Sequence, residues 1–243
     1  MTALVRIVLI DPSHPGNIGS VARAMKNMAV TDLVLVRPRS FPHAESNALA
    51  AGADDILENA RVVSTVSEAI ADCGFVAGTT SRQRSYYWEF MTPRDVAARI
   101  NELPAENRTA LLFGSEKYGL ATDDLQYCNV LVRIPANPDY CSLNLAMSVQ
   151  LLTYELFMTR EKPRSHMQLE QPLATAGDVE HFYQHLNEVL NEIDFADRTG
   201  HLLERLRRLF NRAQMDRNEL NILRGILSAV QGRRGQSSRR SRG

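Results

Sequence analysis

One strand, one loop and the start of one helix follow each other in Leu4-Val-Arg-Ile-Val-Leu-Ile-Asp-Pro-Ser-His-Pro-Gly-Asn-Ile-Gly-Ser20. The aliphatic run Leu4–Ile10 predicts a short buried strand. Beyond the loop, apolar residues recur three and four positions apart, as an amphipathic helix requires: Ile18, Val21, Ala22, Met25 and Met28. Strand and helix signals keep alternating through residues 1–160. This alternation favours an α/β fold, with a mostly parallel sheet covered by helices on both faces.

Five more strands are predicted in this part of the chain, at Asp32–Val36, Val62–Val66, Phe75–Gly78, Thr109–Phe113 and Val130–Ile134. A longer helix is predicted at Asn144–Arg160. Its residues are apolar nearly all round, which is typical of a helix buried in a core or in a subunit interface. We therefore expect residues 1–160 to form one domain that ends with this helix.

The rest of the chain predicts a second, smaller unit. Residues 161–177 contain prolines and polar residues without an apolar period, which indicates a linker. Three amphipathic helices are then expected near 178–193, 201–212 and 218–230, so that residues 178–232 form a small helical domain. Residues 233–243 are rich in Arg, Gly and Ser, and this composition predicts a disordered basic tail.

The formal net charge of zero hides an uneven distribution along the chain. Residues 1–160 carry 14 basic and 17 acidic side chains, residues 161–196 carry 2 and 7, and residues 197–243 carry 12 and 4. The last segment, with a net charge of +8, therefore predicts binding to a polyanion. On its first helix we expect four arginines to face outward, Arg205, Arg207, Arg208 and Arg212, opposite Leu202, Leu206, Leu209 and Phe210.

Several classes of protein are disfavoured. There is no apolar segment typical of a signal peptide, and none approaches the roughly 20 residues that span a bilayer. Cys73, Cys128 and Cys141 are odd in number and widely spaced, which fits a reducing cytosol better than disulfides or zinc. His181 and His185 lack the glutamate of an H-E-x-x-H motif. We expect a cytoplasmic protein with neither a metal nor a membrane partner, and Cys141 as a buried small hydrophobe rather than a nucleophile.

Three loops follow predicted strands and would meet at one edge of a parallel sheet, where α/β folds bind ligands. The first, residues 11–20, has G-x-x-G spacing, which would let the backbone approach a ligand or simply form a turn. The second, residues 113–120, lacks the Lys-Ser/Thr of a nucleotide phosphate loop, and its Glu116 could be merely solvated. The third, residues 134–144, could be no more than a capped helix start.

Together these loops resemble the three motifs of the SPOUT (TrmH-type) RNA 2′-O-methyltransferases. The resemblance is carried by Asn17-Ile-Gly-Ser-Val-Ala-Arg23, by Phe113-Gly-Ser-Glu-Lys-Tyr-Gly119 and by Ile134 through Ser142-Leu-Asn144. The C-terminal sequences 206–212 and 219–227 resemble those of members that modify tRNA. The likeness covers residues 4 to about 230. Two positions depart from the usual pattern, Ser115 and Cys141, and both could alter contacts with the substrate.

The resemblance implies a parallel sheet closed by a C-terminal trefoil knot, a homodimer, and S-adenosylmethionine as methyl donor. It implies methylation of ribose in tRNA, at a cytidine or uridine that is the first nucleotide of the anticodon loop. The residues that it places around the reacting hydroxyl are Arg23, Asn17, Glu116, Ser142 and Asn144. Those that it places around the cofactor are Thr79, Thr80, Ser81, Gly114, Ile134, Cys141, Ser142 and Leu143.

Arginine is a poor proton acceptor because its pKa exceeds about 12. We therefore expect Arg23 to clamp a phosphate of the RNA, with Glu116 orienting it. Arg82 and Arg84 precede Tyr86, Tyr87 and Trp88, and such aromatics could stack on RNA bases or anchor a loop. Two other hypotheses remain open: an RNA-binding protein without catalysis, and an α/β enzyme with a different nucleotide-like cofactor.

Overall fold

The computed structural model describes residues 4–81, 88–159, 171–195 and 201–240, of which 233–240 are described by backbone alone. Its centre is a parallel sheet with the strand order β3-β2-β1-β6-β4-β7-β5. The strands are β1 (Leu4–Ile10), β2 (Asp32–Val36), β3 (Arg61–Val63), β4 (Phe75–Thr79), β5 (Phe90–Met91), β6 (Arg108–Phe113) and β7 (Val130–Val132). The predicted α/β class is confirmed.

Helices lie on both faces of the sheet, and a group of helices follows it. They are α1 (Pro15–Asn27), α2 (Ala44–Ala50), α3 (Asp54–Glu58), α4 (Val66–Ile70), α5 (Pro93–Glu102), α6 (Thr122–Leu125), α7 (Leu145–Thr159), α8 (Ala176–Glu192), α9 (Leu202–Ala213) and α10 (Arg217–Arg240). No helix in the described part of the chain is long and apolar enough to span a membrane.

Strand β1 shows why the sheet is covered on both faces. Ile7 and Leu9 point into a core shared with α1, α5 and α7, whereas Val8 and Ile10 point into a second core shared with α4 and α6. Successive side chains of a strand face opposite sides, so a strand that is apolar throughout must be buried on both.

The glycines of the first loop serve packing between helices. A Cβ atom on Gly19 would lie 2.0 Å from the carbonyl oxygen of Ser46, and one on Gly16 would lie 2.7 Å from the Glu45 carboxylate and from Leu49. Helix α2 therefore crosses α1 at the two glycines. The expectation that this spacing lets the backbone approach a ligand is corrected, because the space beside both Cα atoms is taken by α2.

Strand bounds differ from prediction where local capping or distant pairing decides them. The predicted strand Val62–Val66 ends at Val63, because Thr65 caps α4 by accepting a hydrogen bond from the Glu68 N–H at 3.2 Å. Strand β5 was not predicted. It has only two residues and exists through its pairing with β7, which a local pattern does not reveal.

Helix α7 is buried on one side only. Leu145, Val149, Leu152 and Leu156 lie in the core. On the other side five large apolar side chains are exposed, and we call them the α7 outer face: Met147, Leu151, Tyr154, Phe157 and Met158.

The last three helices surround a small core of their own, which includes Phe182, Tyr183, Val189 and Leu220. They dock at the starts of the central strands, at the edge of the sheet opposite the three loops. The Asn211 side chain donates to the Gln126 carbonyl at 2.7 Å and accepts from the Tyr183 hydroxyl at 2.7 Å. The Asn129 side chain in turn donates to the Asn211 carbonyl at 2.9 Å.

Two predicted boundaries in this region are corrected. Residues 171–177 belong to the packed structure, since Leu173 and Ala174 are buried and Ala176 N–H donates to the Cys73 carbonyl at 2.7 Å. The predicted tail from 233 onward is helical as far as Arg240, because an established helix gains one hydrogen bond for each residue added. Residues 160–170 and 241–243 lie outside the described part.

Helix α9 is rotated relative to the prediction. Arg207 points inward, where its guanidinium makes two hydrogen bonds to Glu180, at 2.7 and 2.8 Å, and lies 4.4 Å from the centre of the Tyr183 ring. Leu209, expected inside, is 48% exposed. Asn211 sets this orientation, because its buried hydrogen bonds turn that side of the helix toward the sheet. Arg205 and Arg212 are exposed and Arg208 is half-buried.

Candidate active site

A cavity of about 280 Å³ lies at the carboxyl edge of the sheet, where the second and third loops and the end of β4 line it. The first loop does not line the cavity but is hydrogen-bonded to Glu116 in its wall. The structure brings together all eight residues predicted to hold the cofactor: Thr79, Thr80, Ser81, Gly114, Ile134, Cys141, Ser142 and Leu143. Parallel strands explain the convergence, because β4, β6 and β7 all end at this edge.

The cavity combines an apolar floor with a polar rim. Phe113, Leu120, Val132 and Leu145 supply buried apolar surface, while the rim is formed by short polar side chains and backbone. Its volume lies near the lower end of small-ligand pockets, which are roughly 300–1,000 Å³. The residues present therefore fit a compact ligand with an aromatic part and several hydrogen-bonding groups, as a nucleoside linked to an amino acid is.

A tight turn forms one wall of this cavity. A Cβ atom on Gly114 would lie 2.0 Å from the Gly119 carbonyl carbon, so only glycine allows the chain to fold back there. Gly119 has a φ of 66°, a backbone conformation that favours glycine. The Gly119 N–H donates to the Ser115 carbonyl at 2.8 Å, which closes the turn.

Glu116 joins this turn to the first loop. Its carboxylate accepts hydrogen bonds from the Ser13 N–H at 2.9 Å, the Ser13 hydroxyl at 2.7 Å, the His14 N–H at 3.2 Å and the Asn17 amide at 2.9 Å. Partial burial would raise the pKa of Glu116, but the hydrogen bonds from Asn17 and Ser13 outweigh it and lower the pKa to about 2. The side chain is therefore an ionised structural hub and not a solvated surface acid.

Asn17 and Asn144 extend the connection to the third loop. The Asn17 side-chain oxygen accepts from the Asn144 amide at 3.2 Å, and the Asn144 oxygen accepts from the Ala146 N–H at 2.8 Å, which caps α7. Ser142 lies exposed on the rim of the cavity. Four of the five residues predicted around the reacting hydroxyl, Glu116, Asn17, Asn144 and Ser142, are thus gathered at one place.

Arg23, the fifth, lies elsewhere. It is exposed on α1 and borders a concave apolar surface shared with Leu143, Met147 and Leu151. Among the described residues it has no hydrogen-bond partner. Within one chain Glu116 does not contact Arg23, because its carboxylate bonds to the first loop. That Glu116 orients Arg23 stays a prediction.

Other predicted residues have varied outcomes. Arg82 and Arg84, like Tyr86 and Tyr87, lie outside the described residues, while Trp88 is half-buried.

Cys141 is exposed rather than buried, since the loop that carries it forms the rim of the cavity. The other two thiols are buried, and burial raises the pKa of both Cys73, to about 12, and Cys128. Within the described ranges no group of His, Cys, Asp or Glu could hold a metal ion.

Sequence reasoning missed Ser13 and Tyr118. Ser13 supplies two of the hydrogen bonds to Glu116. Tyr118 borders the cavity and is 62% exposed. A signal for Tyr118 was present, because a large aromatic residue between a lysine and a glycine of a tight turn has little chance of burial.

Comparisons with known proteins identify relatives over nearly the whole chain. The SpoU rRNA Methylase family matches residues 4–154, and the C-terminal domain of the tRNA methyltransferase TrmJ matches residues 177–241. A tRNA (cytidine/uridine/adenosine-2'-O-)-methyltransferase TrmJ of Pseudomonas aeruginosa is 46% identical, with 98% of each chain aligned. A tRNA (cytidine/uridine-2'-O-)-methyltransferase TrmJ of Sodalis glossinidius is 45% identical, over 93% of this chain and 91% of its own.

A solved structure agrees with these relatives. The crystal structure of TrmJ from Z. mobilis ZM4 is similar with a TM-score of 0.83 and 35% sequence identity. The match covers 94% of this chain and 100% of the other. The parallel sheet and the helical C-terminal part are therefore both shared with a member of this group.

Replacing Glu116 should expose its structural role through pH. The Glu116→Gln chain should be less stable than wild type at pH 7. The donors that bond to two carboxylate oxygens in wild type would find only one acceptor oxygen on the amide. The folded pKa, about 2, lies below the ordinary 4.5, so the carboxylate stabilises the fold above pH 4.5 and ceases to do so as pH falls toward 2. Urea unfolding should therefore show a smaller difference in the free energy of unfolding between Glu116→Gln and wild type near pH 3 than at pH 7.

Glu188→Gln, on the exposed side of α8, is the matched control and should show little difference at either pH. An equal loss of stability for Glu116→Gln at both pH values would mean that the charge of Glu116 does not hold the loops together.

Proposed function

Because this chain belongs to the SpoU rRNA methylase family and carries the C-terminal domain of the tRNA methyltransferase TrmJ, we propose that it methylates ribose 2′-oxygens in tRNA. S-adenosylmethionine is the methyl donor. The observation that carries this function is the cavity lined by the second and third motif loops, to which the Glu116–Asn17–Asn144 hydrogen bonds join the first loop.

The relatives' names suggest the range of target bases. Both act on cytidine and uridine, and that of P. aeruginosa acts on adenosine as well. For this chain we propose cytidine and uridine at the first nucleotide of the anticodon loop. A cytoplasmic location follows from this substrate. Mapping 2′-O-methylated riboses in tRNA from cells that lack the protein tests the position directly.

The cofactor fits the cavity through residues of the second and third loops and of the segment that follows β4. Its adenine would lie on the apolar floor, with the backbone around Gly114, Ile134 and Leu143 available to its polar groups. When bound, it supplies an electrophilic methyl group. We assign to Ser142, Asn17 and Asn144 the task of orienting the ribose hydroxyl, since displacement requires its oxygen to lie within roughly 3–3.5 Å of the methyl carbon.

Arg23 is the residue that we assign to the RNA backbone. Its guanidinium is permanently charged, planar and exposed, which suits a phosphate oxygen pair better than proton abstraction. Because it borders the concave surface beside the α7 outer face, packing of a second subunit there would bring Arg23 next to that subunit's cavity. The active site would then be completed across the interface.

A homodimer is supported by the α7 outer face itself. Five large apolar side chains exposed together on one helix form the kind of patch that marks a protein interface. The trefoil knot stays a prediction of the resemblance, and the domain limit at 160 stays a prediction of the sequence pattern.

Contacts with the tRNA away from the target nucleotide are assigned to the helical domain. Residues 197–243 have a net charge of +8, whereas residues 1–160 have −3. Arg205 and Arg212 are exposed on α9 and available to phosphates, and Arg208 lies between them. Arg207 is not among them, because it is committed to Glu180.

The assignment of Arg23 is tested by the chemical step. Arg23→Ala should lower the single-turnover rate of methyl transfer by more than a hundredfold, or about 2.7 kcal/mol, while calorimetry shows nearly unchanged affinity for S-adenosylmethionine. Arg23→Lys should recover only part of the rate, since one ammonium group does not replace a planar fork. A normal rate for Arg23→Ala at saturating tRNA would remove Arg23 from the site. Cofactor binding without methylation of any RNA would favour a non-catalytic RNA-binding protein, and absence of cofactor binding a different cofactor.

The dimer is tested by adding charge to the α7 outer face. Met147→Glu should convert a dimer into a monomer in light scattering and abolish activity, because a carboxylate would be buried without a partner. Val62→Glu, an equally apolar exposed position on β3, should remain dimeric. A fully active monomer in either variant would refute a shared active site.

The role of α9 is tested by the salt dependence of tRNA affinity. Each phosphate contact on single-stranded RNA contributes roughly 0.7 to the log–log slope, so Arg205→Gln with Arg212→Gln should reduce the slope by roughly 1.4. The control Lys26→Gln removes a cation that already pairs with Asp55 at 2.7 Å, and should leave the slope unchanged. Unchanged slopes in both variants would show that α9 does not bind the tRNA backbone.

A further inference from the structure

We propose that the ring of Tyr118 is the surface on which the base of the target nucleotide stacks. The proposal rests on the function proposed above and adds a residue that positions the substrate. Tyr118 borders the cavity, yet 62% of its surface is exposed. A large apolar ring held at the mouth of a ligand cavity offers contact area to whatever enters the cavity from solvent.

The ring is held on a firmly built turn. Tyr118 N–H donates to the Ser115 hydroxyl at 3.3 Å, and Gly119 N–H donates to the Ser115 carbonyl at 2.8 Å. Glu116, two residues before Tyr118, ties the same turn to Ser13 and Asn17. The backbone beneath the ring is thus fixed before substrate arrives, and binding to a preorganised group loses less conformational entropy. Ser115, which departs from the usual motif, takes part in this arrangement.

A cation accompanies the ring. The Lys117 ammonium lies 5.1 Å from the centre of the Tyr118 ring, and both side chains are exposed. Single-stranded nucleic acids are commonly bound by an aromatic face for the base beside a positive charge for the backbone. The Lys117–Tyr118 pair supplies both groups on adjacent residues.

The position of the ring also suits the geometry of a nucleotide. The ribose hydroxyl must approach the Glu116–Asn17–Asn144 side of the cavity, where its orienting groups are. The base is attached to C1′, the carbon next to the one that carries this hydroxyl. A base whose ribose is bound there must therefore lie close by, and Tyr118 belongs to the same five-residue turn as Glu116.

Stacking would also explain how one site accepts several bases. Cytidine presents an amino donor where uridine presents a carbonyl acceptor, so hydrogen bonds to this edge would separate them. An aromatic face does not, because every base has a π surface. The relatives' activity on cytidine and uridine calls for a contact of this tolerant kind.

The alternative occupant is the adenine of the cofactor. The apolar floor of Phe113, Leu120 and Val132 lies inside the cavity and already offers adenine a buried site. Tyr118 also lines the cavity but is exposed, so its ring is open to a molecule that approaches from solvent. We therefore assign the ring to the target base.

The test pairs a change in the enzyme with a change in the RNA. Single-turnover methylation is measured on normal tRNA and on tRNA whose target nucleotide keeps its ribose but lacks the base. The enzymes are wild type, Tyr118→Ala and the matched control Tyr118→Phe. Base removal and Tyr118→Ala should each slow the reaction by roughly tenfold to a hundredfold, and together by no more than either alone. Tyr118→Phe, which keeps the ring, should remain near wild type.

Three outcomes would overturn the proposal. Independent, multiplying losses for base removal and Tyr118→Ala would show that the ring does not contact the base. A Tyr118→Phe loss equal to that of Tyr118→Ala would assign the effect to the hydroxyl. A parallel loss of S-adenosylmethionine affinity in calorimetry would assign the ring to the cofactor. Wild-type enzyme that methylates no tRNA would instead reject the proposed function, and this result is distinct from a failure of Tyr118 alone.

Discussion

The site depends on the hydrogen bonds that converge on the Glu116 carboxylate. Three loops that are distant in sequence meet at the carboxyl edge of the sheet, and the first of them brings the backbone N–H groups of Ser13 and His14, which need an acceptor. The Glu116 carboxylate accepts hydrogen bonds from Ser13, His14 and Asn17. The Asn17 side chain in turn accepts a hydrogen bond from the Asn144 amide. A hydrogen bond to a charged acceptor is about twice as strong as a neutral one, so this ionised side chain firmly joins the first loop to the turn that lines the cavity.

The molecule separates the proposed reaction site from its most basic segment, residues 197–243. The cavity lies at the end of β4, at Thr79. The helical domain docks near the start of β4, through Asn129 and Asn211. These edges are roughly 15 Å apart along a five-residue strand. A substrate that touches both must be larger than a nucleoside, which is in keeping with a folded RNA that reaches from the basic helices to the cavity.

The order and bounds of the main elements could be predicted because their signals are local. The bounds of β1 and β2 agree with prediction at both ends, and α7 agrees to within one residue. Continuous aliphatic runs and apolar residues three and four apart require no knowledge of partners. The two-residue β5 could not be predicted, because it is defined only by pairing with β7. Similarly, the sequence showed that α9 carries arginines, but docking through Asn211 decided that Arg207 faces inward.

For the site, the sequence determined which loops meet and which residue types they carry, because parallel strands end at one edge. Only the tertiary structure decided which groups touch. It paired Glu116 with the first loop instead of Arg23, exposed Cys141, and left Tyr118 at the mouth of the cavity. The physical reason is the sequence distance over which each kind of signal acts. Periodicity and turn chemistry depend on a few neighbouring residues, whereas a hydrogen-bond partner or an exposed ring depends on how segments about a hundred residues apart pack in space.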